Sequence, residues 1–212
     1  DGVDTSSYEI LFFPHSSIFY GDLFIKNSFY SKEKGSAFNI KNILHVEFSR
    51  LLLGGKKAKF YSDNNITTVL FPKPKIKEYL KNFKSVISSI GFINCLTMLK
   101  RNALLFSILL FNSVEFLTKK KIVNLSFGNA KIVLVGYEIL FPPVVSLVFE
   151  SLSVKTVAVQ ERFLATAFYE NYPFIIDTYY ASSSFACKMV EQSKVKLVNR
   201  CIPCGQMRTD LI

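Results

Sequence analysis

Tryptophan is missing from this 212-residue chain, histidine occurs twice and cysteine four times, and each scarcity removes a class of protein. Cys95, Cys187, Cys201 and Cys204 are too few for a disulfide framework in a chain of this length. Cys201-Ile-Pro-Cys204 has the spacing of half a zinc site, but no second pair accompanies it, and His15 and His45 lie far off in sequence. A thioredoxin-type pair would open a helix, whereas Gly205 comes next here. The pair is read as two ordinary buried thiols in reducing, cytosolic surroundings, and no metal is expected.

Long apolar runs are missing as well. The longest uncharged stretches, residues 85–99 and the shorter 102–114, fall below the roughly 18–20 residues needed to span a bilayer, so an integral membrane protein is not expected. No signal peptide is visible. GxGxxG, P-loop, HExxH and GxSxG motifs are all lacking, which leaves nicotinamide, ATP and metalloprotease chemistry without a sequence signal. The chain has no initiator methionine and stops at Leu211-Ile212 straight after a motif, so it reads as a piece of a longer protein.

What is present is a half-apolar composition with 21 Phe and 10 Tyr, enough for one large domain whose core is built on rings. Acidic residues are scarce in one block only. Between residues 71 and 121, nine lysines and one arginine stand against Glu78 and Glu115, a net of +8 out of the chain's +10; the stretches on either side carry +1 each. One basic block among apolar neighbours suits an anionic membrane surface or a phosphorylated ligand. Nucleic acid is the rival, but no recognition motif accompanies the block and no nucleic-acid partner is expected.

Within that block Pro72 and Pro74 introduce a helix. Ile76, Tyr79, Leu80, Phe83, Ile87 and Ile90 recur at helical spacing, while Lys73, Lys77, Lys81 and Lys84 take the other side. Two readings stay open: an apolar side that is simply core, or a basic amphipathic helix whose four lysines face a membrane. Residues 103–111 are apolar nearly all round, which predicts a helix buried in the core. Lys119-Lys-Lys121 closes it, where cations suit the helix dipole.

Elsewhere strand and helix signals alternate. Tyr8-Glu-Ile-Leu-Phe-Phe13 predicts a first strand stopped by Pro14; residues 43–48 and 67–71 predict further short strands, with turn signals bracketing 58–61. Residues 131–135 form a buried-strand pattern ended by Gly136, and Pro142-Pro143 opens a helix through Ser151. The β-branched run 154–159 reads as a strand buried on both faces. Residues 174–180 and 196–202 are strands, and Ser182-Ser-Ser184 caps a helix between them. This order predicts an α/β fold, a Rossmann-like parallel sheet flanked by helices.

In such sheets ligands bind beyond the carboxyl ends of the strands. The polar residues predicted there are His15, Glu138, the Gln160-Glu161-Arg162 cluster, and Arg208 with Asp210. Arg162 and Arg208 suit phosphate or carboxylate, which guanidinium holds bidentately. Glu161 or His15 could act as general base toward an acceptor hydroxyl. The plain alternatives are a structural ion pair of Glu161 with Arg162 or Arg208, and a loop-packing role for His15.

The order of pieces from residue 131 onward resembles the late part of the N-terminal domain of bacterial surface-polysaccharide glycosyltransferases of GT-B fold, in particular the CDP-glycerol glycerophosphotransferase group. In that family a strand after a Pro-led helix ends in a Gln-His-Gly turn, and a Gly-x-Pro-Arg-x-Asp segment leads into the second domain. Here Val159-Gln-Glu-Arg162 keeps Gln160 without the His-Gly, and Gly205-Gln-Met-Arg-Thr-Asp210 keeps Gly205, Arg208 and Asp210 without the Pro. The Phe13-Pro-His15 and Tyr20-Gly21 loop also resembles the first loop of such a domain. The resemblance implies an acceptor-side domain over residues 1–207, with 208–212 beginning a donor-binding C-terminal domain. It implies no tightly bound cofactor, a nucleotide-activated sugar or polyol donor, a glycan or lipid-linked acceptor, and a peripheral position at the cytoplasmic face of the plasma membrane. A sugar-nucleotide epimerase of the same architecture, or a non-catalytic basic module for membrane or nucleic acid, are the alternatives.

Overall fold

Apolar runs without polar alternation need cover on both faces, and the fold places them accordingly. The computed structural model describes residues 4–14, 43–48, 55–63, 65–136, 141–160 and 174–205. Their strands are β1 (Ile10–Phe13), β2 (Ile43–Glu47), β3 (Thr68–Leu70), β4 (Ile132–Val135), β5 (Lys155–Val159), β6 (Phe174–Ala181) and β7 (Lys196–Pro203). The helices are α1 (Gly55–Asp63), α2 (Ile76–Ile90), α3 (Phe92–Phe127), α4 (Pro143–Ser151) and α5 (Ser184–Gln192). All seven strands are parallel in one sheet of order β3-β2-β1-β4-β5-β6-β7. The fold is α/β and Rossmann-like, as the alternation of elements predicts. Its central strands β1, β2 and β4 are buried almost throughout, while the edge strand β7 exposes Leu197, Asn199 and Arg200.

Local chemistry explains several boundaries. Pro143 opens α4, where the missing N–H would have had no helical partner. Ser183 caps α5, its hydroxyl accepting from the Ala186 N–H at 3.1 Å. Gly205, at φ 84°, turns the chain after β7 in a conformation that side-chain-bearing residues rarely adopt.

The chain divides into two compact units: Asp1–Phe71 with Asn129–Ile212, which holds the sheet, and Pro72–Gly128, which holds α2 and α3. Within the helical unit, Gly91 at φ 83° joins the two helices and its N–H donates to the Ile87 carbonyl. Asn82 Nδ2 donates to Thr118 Oγ1 at 2.8 Å, tying α3 to α2. Asn102 has non-helical backbone angles (φ −158°, ψ 90°) and splits α3 into two limbs; its side chain caps the second by accepting from the Leu105 N–H at 2.9 Å.

This unit overturns three expectations. Residues 103–111 are not a core helix: Phe106 is buried, but Leu104, Leu105, Ile108, Leu109 and Phe111 face outward. The helix also runs on past Lys119-Lys-Lys121 to Phe127, because the side chains there, Ile122, Val123 and Phe127, are themselves buried. The core reading of the Lys73–Lys84 stretch fails too, since α2 contains no buried residue and Ile76, Leu80 and Phe83 are exposed.

Candidate functional site

A parallel sheet whose order reverses between β1 and β4 has its switch point there, and in folds of this kind ligands bind beyond the carboxyl ends of the strands at such a point. Gly136 sets how closely the two ends meet. Its N–H donates to the Phe13 carbonyl at 2.9 Å, and a Cβ at this position would lie 3.1 Å from that oxygen and 3.3 Å from the Pro14 Cα. The edge is floored by rings: Phe13 lies 5.3 Å from Phe48, 5.1 Å from Phe141 and 6.1 Å from Phe71, centre to centre. Each of these rings ends a strand or comes after one at the carboxyl side. Helices α4 and α5 begin at the same edge, so their unpaired N–H groups favour negative charge there.

Of the crevice residues expected from sequence, Gln160 is described. It is buried, its N–H donates to the Tyr180 carbonyl, and its side-chain oxygen accepts from the Ser182 N–H at 2.8 Å. It therefore straps the end of β5 to the end of β6. His15, Tyr20, Gly21, Glu138, Glu161, Arg162, Arg208 and Asp210 lie outside the described residues. Lys73, Lys77, Lys81 and Lys84 are all exposed, in the helical unit.

The structure adds a buried polar group that the sequence pattern does not reveal. His45 and Glu47, two apart on β2, share a face and are both fully buried. Tyr61 of α1 donates to Glu47 Oε1 at 2.8 Å, and the His45 ring stands edge-on to Phe12 and Tyr61. The only sequence signal is polar spacing of two within an apolar strand; the partner lies 14 residues away. This side chain is part of the core, with Tyr61 bonded to its carboxyl group.

A cavity of about 420 Å³ lies at the opposite, amino ends of β5 to β7, lined by Lys155, Thr156, Asp177, Leu197 and Asn199 among others. Desolvation acts to raise the Asp177 pKa, but hydrogen bonds from Asn199, Lys155 and Thr178, with the Lys155 charge, outweigh it and hold the carboxyl below its ordinary value. That carboxylate is committed to its strand neighbours, and ligands of parallel sheets bind at the other end. We assign the cavity a structural role.

The cysteines also depart from expectation. Cys201 is half-buried and Cys204 exposed, and Cys201 faces Cys187 on α5 rather than Cys204, its Sγ donating to the Cys187 Sγ at 2.7 Å. Desolvation first, then that hydrogen bond and the neighbouring negative charge, push the Cys201 thiol up to about 12. Among the described residues no group of three His, Cys, Asp or Glu is placed to hold a metal. By length and composition alone, α3 is apolar enough to cross a membrane.

Comparison with known proteins finds no matching family model, no matching curated protein and no matching solved structure. Fold and site together define a class: a Rossmann-like α/β protein with a helical unit inserted between β3 and β4.

Proposed function

We propose that the chain is the acceptor-side domain of a glycosyltransferase that moves a sugar or polyol phosphate from a nucleotide-activated donor to a hydroxyl of a cell-surface glycan or lipid-linked acceptor. The observation that carries this reading is the β1/β4 switch point together with the polar residues next to the strand ends in sequence: His15 after Pro14, Glu138 two residues after Gly136, Glu161-Arg162 after Gln160. In this mechanism Glu161 takes the proton of the acceptor hydroxyl, with His15 the second candidate for that role. The freed oxygen attacks the donor's anomeric carbon or phosphorus and displaces the nucleotide. Arg162 and Arg208 hold phosphate charge, with Asp210, Glu138, Tyr20 and Gly21 lining the acceptor side. The nucleotide-activated donor is assigned to a C-terminal domain beginning near residue 208, and the exposed lysines of the helical unit to the anionic inner leaflet.

The test is transfer of radiolabel from CDP-glycerol or UDP-N-acetylglucosamine to a polyprenyl-diphosphate-linked N-acetylglucosamine acceptor in vesicles, using the longest natural form of the protein. Glu161→Gln is expected to lower transfer by about 100-fold or more with secondary structure unchanged. Full transfer in both Glu161→Gln and His15→Ala would remove the base assignment. Conversion of the UDP-sugar to its epimer, with no lipid product, would replace transfer by epimerisation.

A further inference from the structure

Exposed cations and exposed apolar side chains are interleaved on one small unit. Ile76 is 79% exposed, Ile93 78%, Leu104 73% and Phe111 66%, in a unit that also exposes Lys73, Lys77, Lys81 and Lys84. On the second limb of α3 the outward positions 104, 105, 108, 109 and 111 fall on one side of the helix, while Phe106 and Val114 fall on the other and are buried. An apolar surface this broad is unusual for a water-facing helix.

The charges say what covers it. The unit has two carboxylates, and both are engaged: Glu78 accepts from the Lys75 N–H, and Glu115 pairs with Lys119 at 2.7 Å. Lys73, Lys77, Lys81, Lys84, Lys100 and Arg101 have no carboxylate partner among the described residues. Such a surface matches a partner that is apolar and anionic at once, which is what the headgroup region of an acidic bilayer presents.

The kink decides how the unit meets that bilayer. The first limb of α3 has ten residues before Asn102, about 15 Å of helix, half of the ~30 Å hydrocarbon core. Lys100 and Arg101 stand at the junction of the limbs, where a helix spanning with both limbs would have to bury both charges, and the stretch 102–118 between Arg101 and Lys119 carries Glu115. A helix lying in the interface keeps them at the headgroups, as lysine and arginine stems reach outward past the apolar layer.

We infer that the unit Pro72–Gly128 is an in-plane anchor for anionic bilayers: α2 and both limbs of α3 insert their exposed apolar side chains to headgroup depth while the lysines and Arg101 hold anionic lipid. This deepens the membrane position in the proposed function, yet it is tested without donor or acceptor, so the two fail separately. Because the chain lacks tryptophan, Ile93→Trp and Phe111→Trp each give a single fluorescent reporter on one limb. On phosphatidylcholine vesicles containing phosphatidylglycerol, both are expected to shift to the blue. Lipids brominated near the headgroup end of the acyl chain should quench them more than lipids brominated near its terminus. In flotation with the full chain, Ile93→Gln/Leu104→Gln/Phe111→Gln should weaken binding at least tenfold at any salt concentration. Lys77→Glu/Lys81→Glu/Lys84→Glu should abolish the preference for phosphatidylglycerol at low salt. Since all six positions are exposed, the circular dichroism of each variant should match the parent. Unshifted emission with no flotation, strongest quenching from the deep bromines, or an apolar face consumed by self-association in sedimentation would each overturn the anchor.

Discussion

Among individual residues, the Cys187–Cys201 contact illustrates how burial changes chemistry that the sequence alone misplaces. The sequence reads Cys201 and Cys204 as two buried thiols, yet Cys204 is exposed and α5 brings Cys187 to Cys201, because Ser183 starts that helix where its fourth residue lies over β7. With the thiol pushed from 9.0 up to about 12, chiefly by desolvation, the folded state favours the protonated form. The linked stability is therefore fully present below pH 9.0 and is lost as pH rises toward about 12. Chemical unfolding midpoints should fall across that window in the parent and fall less in Cys201→Ala. At pH 8, Cys201 should be alkylated far more slowly in the folded chain than in the unfolded one. Equal rates in the two states would refute the shift.

One level up, among the strands and helices, the switch point depends on how closely β1 and β4 approach. Gly136→Ala places a methyl group 3.1 Å from the Phe13 carbonyl and 3.3 Å from both the Phe12 ring and the Pro14 Cα. Two of these three neighbours are backbone, so the strand ends must part. A loss of about 1–3 kcal/mol in unfolding free energy is expected, measurable in urea. A change within about 0.5 kcal/mol would show that the edge relaxes freely. Strand identity is legible in the chain itself: the uninterrupted Ile10-Leu-Phe-Phe13 and Ile132-Val-Leu-Val135 runs need burial on both faces. The α3 kink is not legible there, since Asn102 follows Lys100-Arg101 at the start of an apolar run, and only its backbone angles and its bond to Leu105 reveal a cap between two limbs.

Across the molecule as a whole, protection should be uneven. β1, β2 and β4 are buried and paired on both sides, whereas α2 has no buried residue. In amide hydrogen exchange without lipid, α2 should exchange well before the central strands, and anionic vesicles should slow it selectively. Exchange of α2 as slow as that of β1, with no effect of vesicles, would contradict both its exposure and the proposed anchor.

Local signals in the sequence are enough for the parallel α/β layout, because β-branched runs, Pro-led helix starts and a serine cap all act within a few residues, and tertiary packing here reinforces them. The basic block is equally plain, since charge is countable. Which apolar residues are core was settled by tertiary packing instead. Periodicity shows that Leu104, Ile108 and Phe111 share a side, but not whether anything covers it. Likewise Gln160 looks like a ligand contact until the fold brings Ser182 to its oxygen, and Glu47 looks like an ordinary strand residue until α1 delivers Tyr61. Those facts depend on residues 22 and 14 positions away in the chain, and a local pattern carries no information about a partner that folding supplies from a distance.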